Sequence, residues 1–343
     1  MTKRIEYIDA LRGFIMILVV MGHVVIFTYE RIDGFSWSIF SYIFQLPLFF
    51  FVSGFVMYKS KTNWDLKMAK SFLVKKFRTL IISTTAILSI YAYLKGYTFD
   101  YVIGNGKAGY WFTFALFIYY FLYVSLSLLM DKIKMGEERK FVMFSIIGIC
   151  LTMVVCRPMN NFIASHPILN VVSIQQWRYF VFFIFGVIAK RYFHIFKHSI
   201  NNDGFMATLL LAFIISLVLF YNTETGILGI KLKFIGWGCM GICVVFAFFS
   251  EHETLFSKKT YLGKTLQYIG KRTLDIYLLH YFFLSYEWGL VGDFFTTNPN
   301  PTVEVFVTFS ISLMVIALCL LTSNIIRLSP QLAHWVLGSR TKR

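Results

Sequence analysis

Stretches of about 20 mostly apolar residues recur along the whole chain, and this repetition constrains the fold more than any other feature. A bilayer has no water to satisfy backbone groups, so such stretches cross it as helices. Only 15% of the 343 residues are charged, which excludes an ordinary soluble domain. We predict an all-α integral membrane protein with about ten transmembrane helices. The predicted spans are 10–29, 38–58, 79–95, 110–130, 141–156, 175–193, 205–221, 227–249, 266–288 and 303–326.

Lysine and arginine residues collect in alternate segments between these spans. If the N-terminus is cytoplasmic, 25 of the 33 basic residues fall on the cytoplasmic side. The positive-inside rule therefore predicts that both termini are cytoplasmic. It also attributes the net charge of +16 to membrane topology, so we expect no nucleic-acid partner. No connecting segment is long enough for a soluble domain, and we predict one polytopic domain over residues 1–343.

The most basic connecting segment, 59–78, combines a loosely apolar side with a lysine-rich side. This pattern predicts an amphipathic segment in the cytoplasm. One interpretation is a helix that lies on anionic lipid headgroups. The other is a docking face for a phosphorylated ligand.

The first predicted span carries ionisable residues, which are costly in hydrocarbon and mark candidate functional sites. The step from Arg12 to His23 turns a helix through whole turns plus about 20°, so both side chains share one face, roughly 16 Å apart along the axis. Glu30 returns to that face near the outer surface. Arg12, His23 and Glu30 thus form a polar stripe along one face of the helix. Such a stripe resembles the lining of a passage through the membrane.

The residue types on this stripe suit acyl transfer. An arginine fork binds phosphate, and a histidine can take a proton from a hydroxyl that attacks a thioester. Simpler roles remain open: His23 could bond to a neighbouring helix, and Arg12 could pair with Asp9. The five cysteines lie in apolar runs without acidic or histidine partners, so we expect no metal site.

Several stretches together resemble the acyltransferase-3 family of multi-span membrane enzymes. "YIDALRGFIMILVVMGH" matches the family's opening, with Arg12 and His23 as its basic residue and histidine. "LPLFFFVSGFVMYKS" resembles its second helix and contains Ser53, Gly54 and Tyr58. Within the family, the stretch "LPLFFFVSGF" is most similar to the branch related to fucose 4-O-acetylases and exopolysaccharide acetyltransferases.

Further motifs follow in the family's order. In "KKFRTL", Lys75 and Arg78 occupy the two basic positions, although the family usually has arginine at the first. "YWFTFALFIYYFLY", "WRYFVFFIFGVIAKRY" and "IGKRTLDIYLLHYFF" resemble the fourth, sixth and late helices, with Trp111, Gly186 and His280 in the expected places.

The resemblance implies transfer of an acyl group, usually acetyl, from cytosolic acyl-CoA to a hydroxyl of a cell-surface or lipid-linked carbohydrate. No tightly bound cofactor is expected, and the chain would lie in the cytoplasmic membrane. His23 would be the general base, with a covalent acyl-histidine as the open alternative. The CoA phosphates would be held by Arg12, Lys75 and Arg78.

The remaining candidates also have structural interpretations. Asp9, Asp275 and His280 are expected to form a polar cluster between helices rather than a second catalytic centre. Candidate acceptor contacts are Glu30, Ser53, Tyr58, Trp111 and Arg178. The competing function for the whole chain is a multi-span exporter or proton-coupled transporter of glycan intermediates, which would use the same polar stripe.

Overall fold

The structure is a computed structural model that describes residues 5–29, 37–59, 64–104, 106–154, 170, 172–220, 223, 226–284 and 289–338. The described residues form helices and contain no strand, which confirms the all-α prediction. The α-helices are α1 (Glu6–Phe27), α2 (Trp37–Met57), α3 (Leu66–Lys76), α4 (Ser83–Lys95), α5 (Phe99–Ile103), α6 (Trp111–Lys132), α7 (Glu137–Val154), α8 (Phe180–Arg191), α9 (Phe193–Ile200), α10 (Asp203–Phe220), α11 (Ile227–Glu251), α12 (Tyr261–Lys271), α13 (Thr273–Leu279), α14 (Gly289–Thr297), α15 (Pro301–Ile326) and α16 (Pro330–Val336).

Within the described residues, six helical stretches are long and apolar enough to cross a membrane. The number rises to seven if Ile174–Arg191 and Phe193–Ile200 are counted together as one span. The protein is therefore a multi-pass membrane protein, while the count of ten spans and the cytoplasmic termini stay predictions. The predicted span 266–288 is not one helix, because α12 ends before Arg272 and α13 begins after it.

The basic segment 59–78 does not form a separate surface helix in its described part. Its helix α3 continues through a π-helical segment, Phe77–Ile82, into α4. The stretch Leu66–Lys95 thereby qualifies as one membrane span of 30 residues. Short π-helical segments inside α-helices are frequent at functional sites, and this one contains Arg78.

The chain divides into two compact units. The first unit comprises residues 1–52, 193–226 and 232–325, and the second comprises 53–192, 227–231 and 326–343. The single domain over 1–343 stays a prediction.

In the first unit, α1 and α12 approach each other at backbone distance. A Cβ atom on Gly13 would lie 2.0 Å from the carbonyl oxygen of Leu266, and one on Gly270 would lie 1.8 Å from that of Asp9. Both distances are far below van der Waals contact, so only glycine fits at either position. Small residues allow close packing of membrane helices in this way. This crossing fixes the start of α13, which carries the site residues.

In the second unit, α2 packs as closely against α8. A Cβ atom on Gly54 would lie 2.0 Å from the carbonyl oxygen of Phe183. The approach of another backbone, rather than a turn, is therefore the reason for glycine in the "SG" pair. Aromatic rings fill the adjoining core, where Phe183 contacts Tyr119 and Phe180.

Candidate active site

Two histidine rings meet in the first unit. Nδ1 of His23 on α1 lies 2.7 Å from Nε2 of His280, the residue that follows α13. The two rings are stacked, with centroids 4.9 Å apart and planes 10° apart. A hydrogen bond of this length requires one nitrogen to donate and the other to accept.

The backbone decides which nitrogen donates. Nδ1 of His280 lies 3.0 Å from the carbonyl oxygen of Ile276, which can only accept, so this Nδ1 carries the proton. In the neutral imidazole Nε2 of His280 is then an acceptor, and Nδ1 of His23 donates to it. With Nδ1 of His23 protonated, Nε2 of the same neutral ring carries the lone pair. His23 is therefore held in the tautomer that a general base needs.

Aromatic side chains enclose the pair. Tyr281 stacks on the His23 ring at 5.2 Å, and Phe27 meets it edge-on at 5.6 Å. The His280 side chain is 0% exposed, whereas His23 keeps partial exposure. The buried histidine orients, and the partly exposed one can meet a substrate.

A second polar contact lies further toward the start of α1. Nη2 of Arg12 donates to the hydroxyl of Thr273 at 2.9 Å. Arg12 and His23 thus both face the segment formed by α13 and its following turn, which confirms that they share one side of α1. Thr273 is buried, and Arg12 is partly exposed.

Residues of the predicted polar cluster have several hydrogen-bond partners. Asp275 is buried and accepts a hydrogen bond of 2.6 Å from Ser323 on α15, while His280 bonds to His23. Asp9 is also buried, beside Gly270. A spacing of five residues turns a helix by about 140°, so Asp275 and His280 face different neighbours. The cluster of all three residues stays a prediction, and the contact of His280 with His23 was not predicted from the sequence.

The second unit holds the other candidate residues. Tyr58 accepts a hydrogen bond of 3.1 Å from Nη1 of Arg191, a residue that sequence reasoning did not select. The Trp111 ring stacks on Tyr179 at 6.1 Å, and the Arg178 guanidinium lies 5.1 Å from the same Tyr179 ring.

The two basic positions of the "KKFR" motif have different surroundings. Lys75 is exposed at the end of α3, whereas Arg78 is partly buried in the π segment. The Nε atom of Arg78 is buried and has no hydrogen-bond partner among the described residues. Ser53 is partly exposed, and Glu30 lies outside the described residues.

A family model described as an acyltransferase domain matches residues 5–323, which include every candidate residue above. The chain belongs to the acyltransferase-3 family. Searches of curated proteins and of solved structures returned no match. Membership supports acyltransferase activity for this membrane protein.

Proposed function

We propose that this acyltransferase-3 protein is an O-acetyltransferase of the membrane. It would move the acetyl group of cytosolic acetyl-CoA to a hydroxyl of a cell-surface or lipid-linked carbohydrate, with His23 as general base. The observation that carries the proposal is the chain from the Ile276 carbonyl through His280 to His23, which leaves one ring nitrogen of His23 as a proton acceptor.

In the proposed step, His23 is the only group that takes up and returns a proton. Nε2 of His23 takes the proton of the acceptor hydroxyl while the hydroxyl oxygen attacks the thioester carbonyl carbon. The carbon–sulfur bond breaks as the new ester bond forms. The CoA thiolate leaves and takes the proton back from His23. His280 keeps Nδ1 of His23 protonated and in line throughout.

The donor would be held through its phosphates by Arg12, Lys75 and Arg78. Guanidinium groups suit phosphate because they present several donors in one plane. The unpartnered, buried Nε of Arg78 is an observation in favour, since a buried donor without an acceptor is costly until a ligand supplies one. The bond from Arg12 to Thr273 fixes the position of its guanidinium group.

The acceptor is proposed to be a sugar of the cell envelope, as in exopolysaccharide modification by the fucose 4-O-acetylase-like branch. Glu30, Ser53, Tyr58, Trp111 and Arg178 are the proposed acceptor contacts. The stacked pair of Trp111 and Tyr179 offers aromatic surface for a sugar ring. The proposed location is the cytoplasmic membrane.

Replacement of the arginines tests the donor site. We expect Arg12→Ala and Arg78→Ala each to weaken acetyl-CoA binding about tenfold or more, because each removes charge-assisted hydrogen bonds to phosphate. Isothermal titration of the purified protein measures the dissociation constants. Lys70→Ala, an exposed cation on α3, is the matched control and should bind like the wild type. Failure of the folded wild type to bind acetyl-CoA would favour the transport alternative.

Replacement of His280 tests its positioning role. His280→Ala should lower kcat by about 10²-fold through loss of orientation and leave the KM for acetyl-CoA unchanged. His280→Gln can still accept a hydrogen bond from Nδ1 of His23, so it should recover part of the rate. A merely structural role predicts instead that both variants lose stability and kcat to the same extent.

A further inference from the structure

The proposed step places a positive charge on the histidine pair of the first unit, which consists of His23 and His280. His23 becomes an imidazolium when its Nε2 takes the proton of the acceptor hydroxyl. A buried charge is costly unless neighbouring groups stabilise it, and His280 is fully buried. The groups around the two rings therefore influence how readily the proposed base takes the proton.

No carboxylate bonds to either ring in the part of the chain that the structure describes. A catalytic histidine of the Ser-His-Asp type has a buried aspartate on its second nitrogen, and this aspartate stabilises the imidazolium. Here the chain of hydrogen bonds ends instead on the neutral carbonyl oxygen of Ile276. Asp275 is the next residue in the chain, yet it accepts its hydrogen bond from Ser323. Among the described residues, the stabilisation therefore has to come from neutral groups.

Tyr281 contacts both histidine rings. Its ring centre lies 5.2 Å from that of His23, with the planes 30° apart, and 4.0 Å from that of His280, with the planes 40° apart. Both contacts are nearer to parallel than to edge-on, and both lie within the range of about 6 Å over which an aromatic face attracts a cation. Tyr281 is buried, and Phe27 packs against it at 5.4 Å, which holds the ring in place.

The attraction between an aromatic face and an imidazole depends on the charge of the imidazole. The face carries partial negative charge and the edge partial positive charge. The Tyr281 ring therefore packs against the neutral imidazole and in addition attracts the imidazolium, most strongly where water is excluded. An interaction that strengthens as the charge forms lowers the barrier of the step. It raises kcat and leaves substrate binding unchanged.

We infer that the face of the Tyr281 ring stabilises the imidazolium that forms on His23 and His280. The inference rests on the proposed function, in which His23 accepts the proton. Tyr281 is a positioning residue, because it acts through the two histidines and exchanges no proton itself. The proton passes from the acceptor hydroxyl to Nε2 of His23 and on to the CoA thiolate. The Tyr281 hydroxyl is not needed for this effect.

Fluorination of the ring tests the inference, because fluorine withdraws electron density from the aromatic face and hardly changes its shape. Tyr281 is replaced in the full-length protein by phenylalanine and by phenylalanines with one, two or three fluorine atoms. We expect Tyr281→Phe to keep kcat within about twofold of the wild type. Each added fluorine should lower kcat further, to about tenfold below Tyr281→Phe at three fluorines, with an unchanged KM for acetyl-CoA. Transfer of radiolabelled acetyl measures both constants.

The same series at Tyr7 is the matched control. Tyr7 is also buried, on α1, and meets the Phe246 ring edge-to-face at 5.9 Å, without a described contact to either histidine. Fluorination there should leave kcat unchanged, because the Tyr7 ring does not face the charge. Thermal melting of each variant confirms that it is folded.

Three results would overturn the inference. The first is an unchanged kcat across the fluorinated series at Tyr281, which would leave the ring a packing role only. The second is a large loss of kcat in Tyr281→Phe, which would assign the effect to the hydroxyl. The third is an equal fall of kcat in the Tyr7 series, which would show that fluorine acts on the protein in general. Each of these requires a wild type that transfers acetyl, whereas a folded wild type without transfer contradicts the proposed function itself.

Discussion

His23→Ala is expected to abolish acyl transfer, with a loss of about 10²-fold to 10⁴-fold in kcat. The substitution removes the one ring nitrogen that the hydrogen bonds from Ile276 and His280 leave as a proton acceptor. The acceptor hydroxyl would then have to attack the thioester while still protonated. Transfer of radiolabelled acetyl from acetyl-CoA to membrane glycan measures the effect.

Two observations separate loss of the base from loss of the fold. His23→Ala should still insert into the membrane and bind acetyl-CoA with a Kd near that of the wild type. His252→Ala, which removes an exposed histidine at the end of α11, is the matched control and should keep full turnover. Full turnover by His23→Ala would show that another group takes the proton.

Gly270→Ala is expected to destabilise the first unit by at least about 3 kcal/mol, the upper end of the usual cost of overpacking. The added Cβ would lie 1.8 Å from the carbonyl oxygen of Asp9, and neither backbone can turn aside as a flexible side chain would. The crossing of α1 and α12 would have to open. Because α13 follows directly, the contact between His23 and His280 would be lost as well. Thermal unfolding of the detergent-solubilised protein measures the change.

The same substitution at an open position provides the control. A Cβ atom on Gly236 in α11 would meet nothing within 4 Å. Gly236→Ala should therefore leave stability unchanged or raise it by up to about 1 kcal/mol, because alanine favours a helix over glycine. Equal melting of Gly270→Ala and Gly236→Ala would contradict the close approach of α1 and α12.

Sequence reasoning located the residues of the first helix well and their partners poorly. Helical periodicity placed Arg12 and His23 on one face, and the structure confirms it through their contacts with Thr273 and His280. Asp275 bonds to Ser323 and His280 bonds to His23, and the cluster that groups them with Asp9 stays a prediction. Spacing along one helix is local information, whereas the partner of a side chain depends on which helix packs against it.

The basic segment shows the same division. Its lysines and its apolar side predicted an amphipathic helix, but the structure continues α3 through the π segment into α4. The amphipathic cytoplasmic segment stays a prediction, and the structure adds that its described part belongs to one continuous helical stretch, Leu66–Lys95. Arg191 was not selected from the sequence, because the positive-inside rule already accounts for a basic residue at the end of an apolar span.

The sequence by itself determined that this protein lies in a membrane, that it is helical and to which family it belongs. Apolar runs, their spacing and the order of motifs are all properties of the linear chain. Only the tertiary structure decided that His280 orients His23, that Gly13 and Gly270 permit the helix crossing, and that Arg191 bonds to Tyr58. Each of these depends on contacts between residues far apart in the chain, and such contacts are settled by how helices pack against each other.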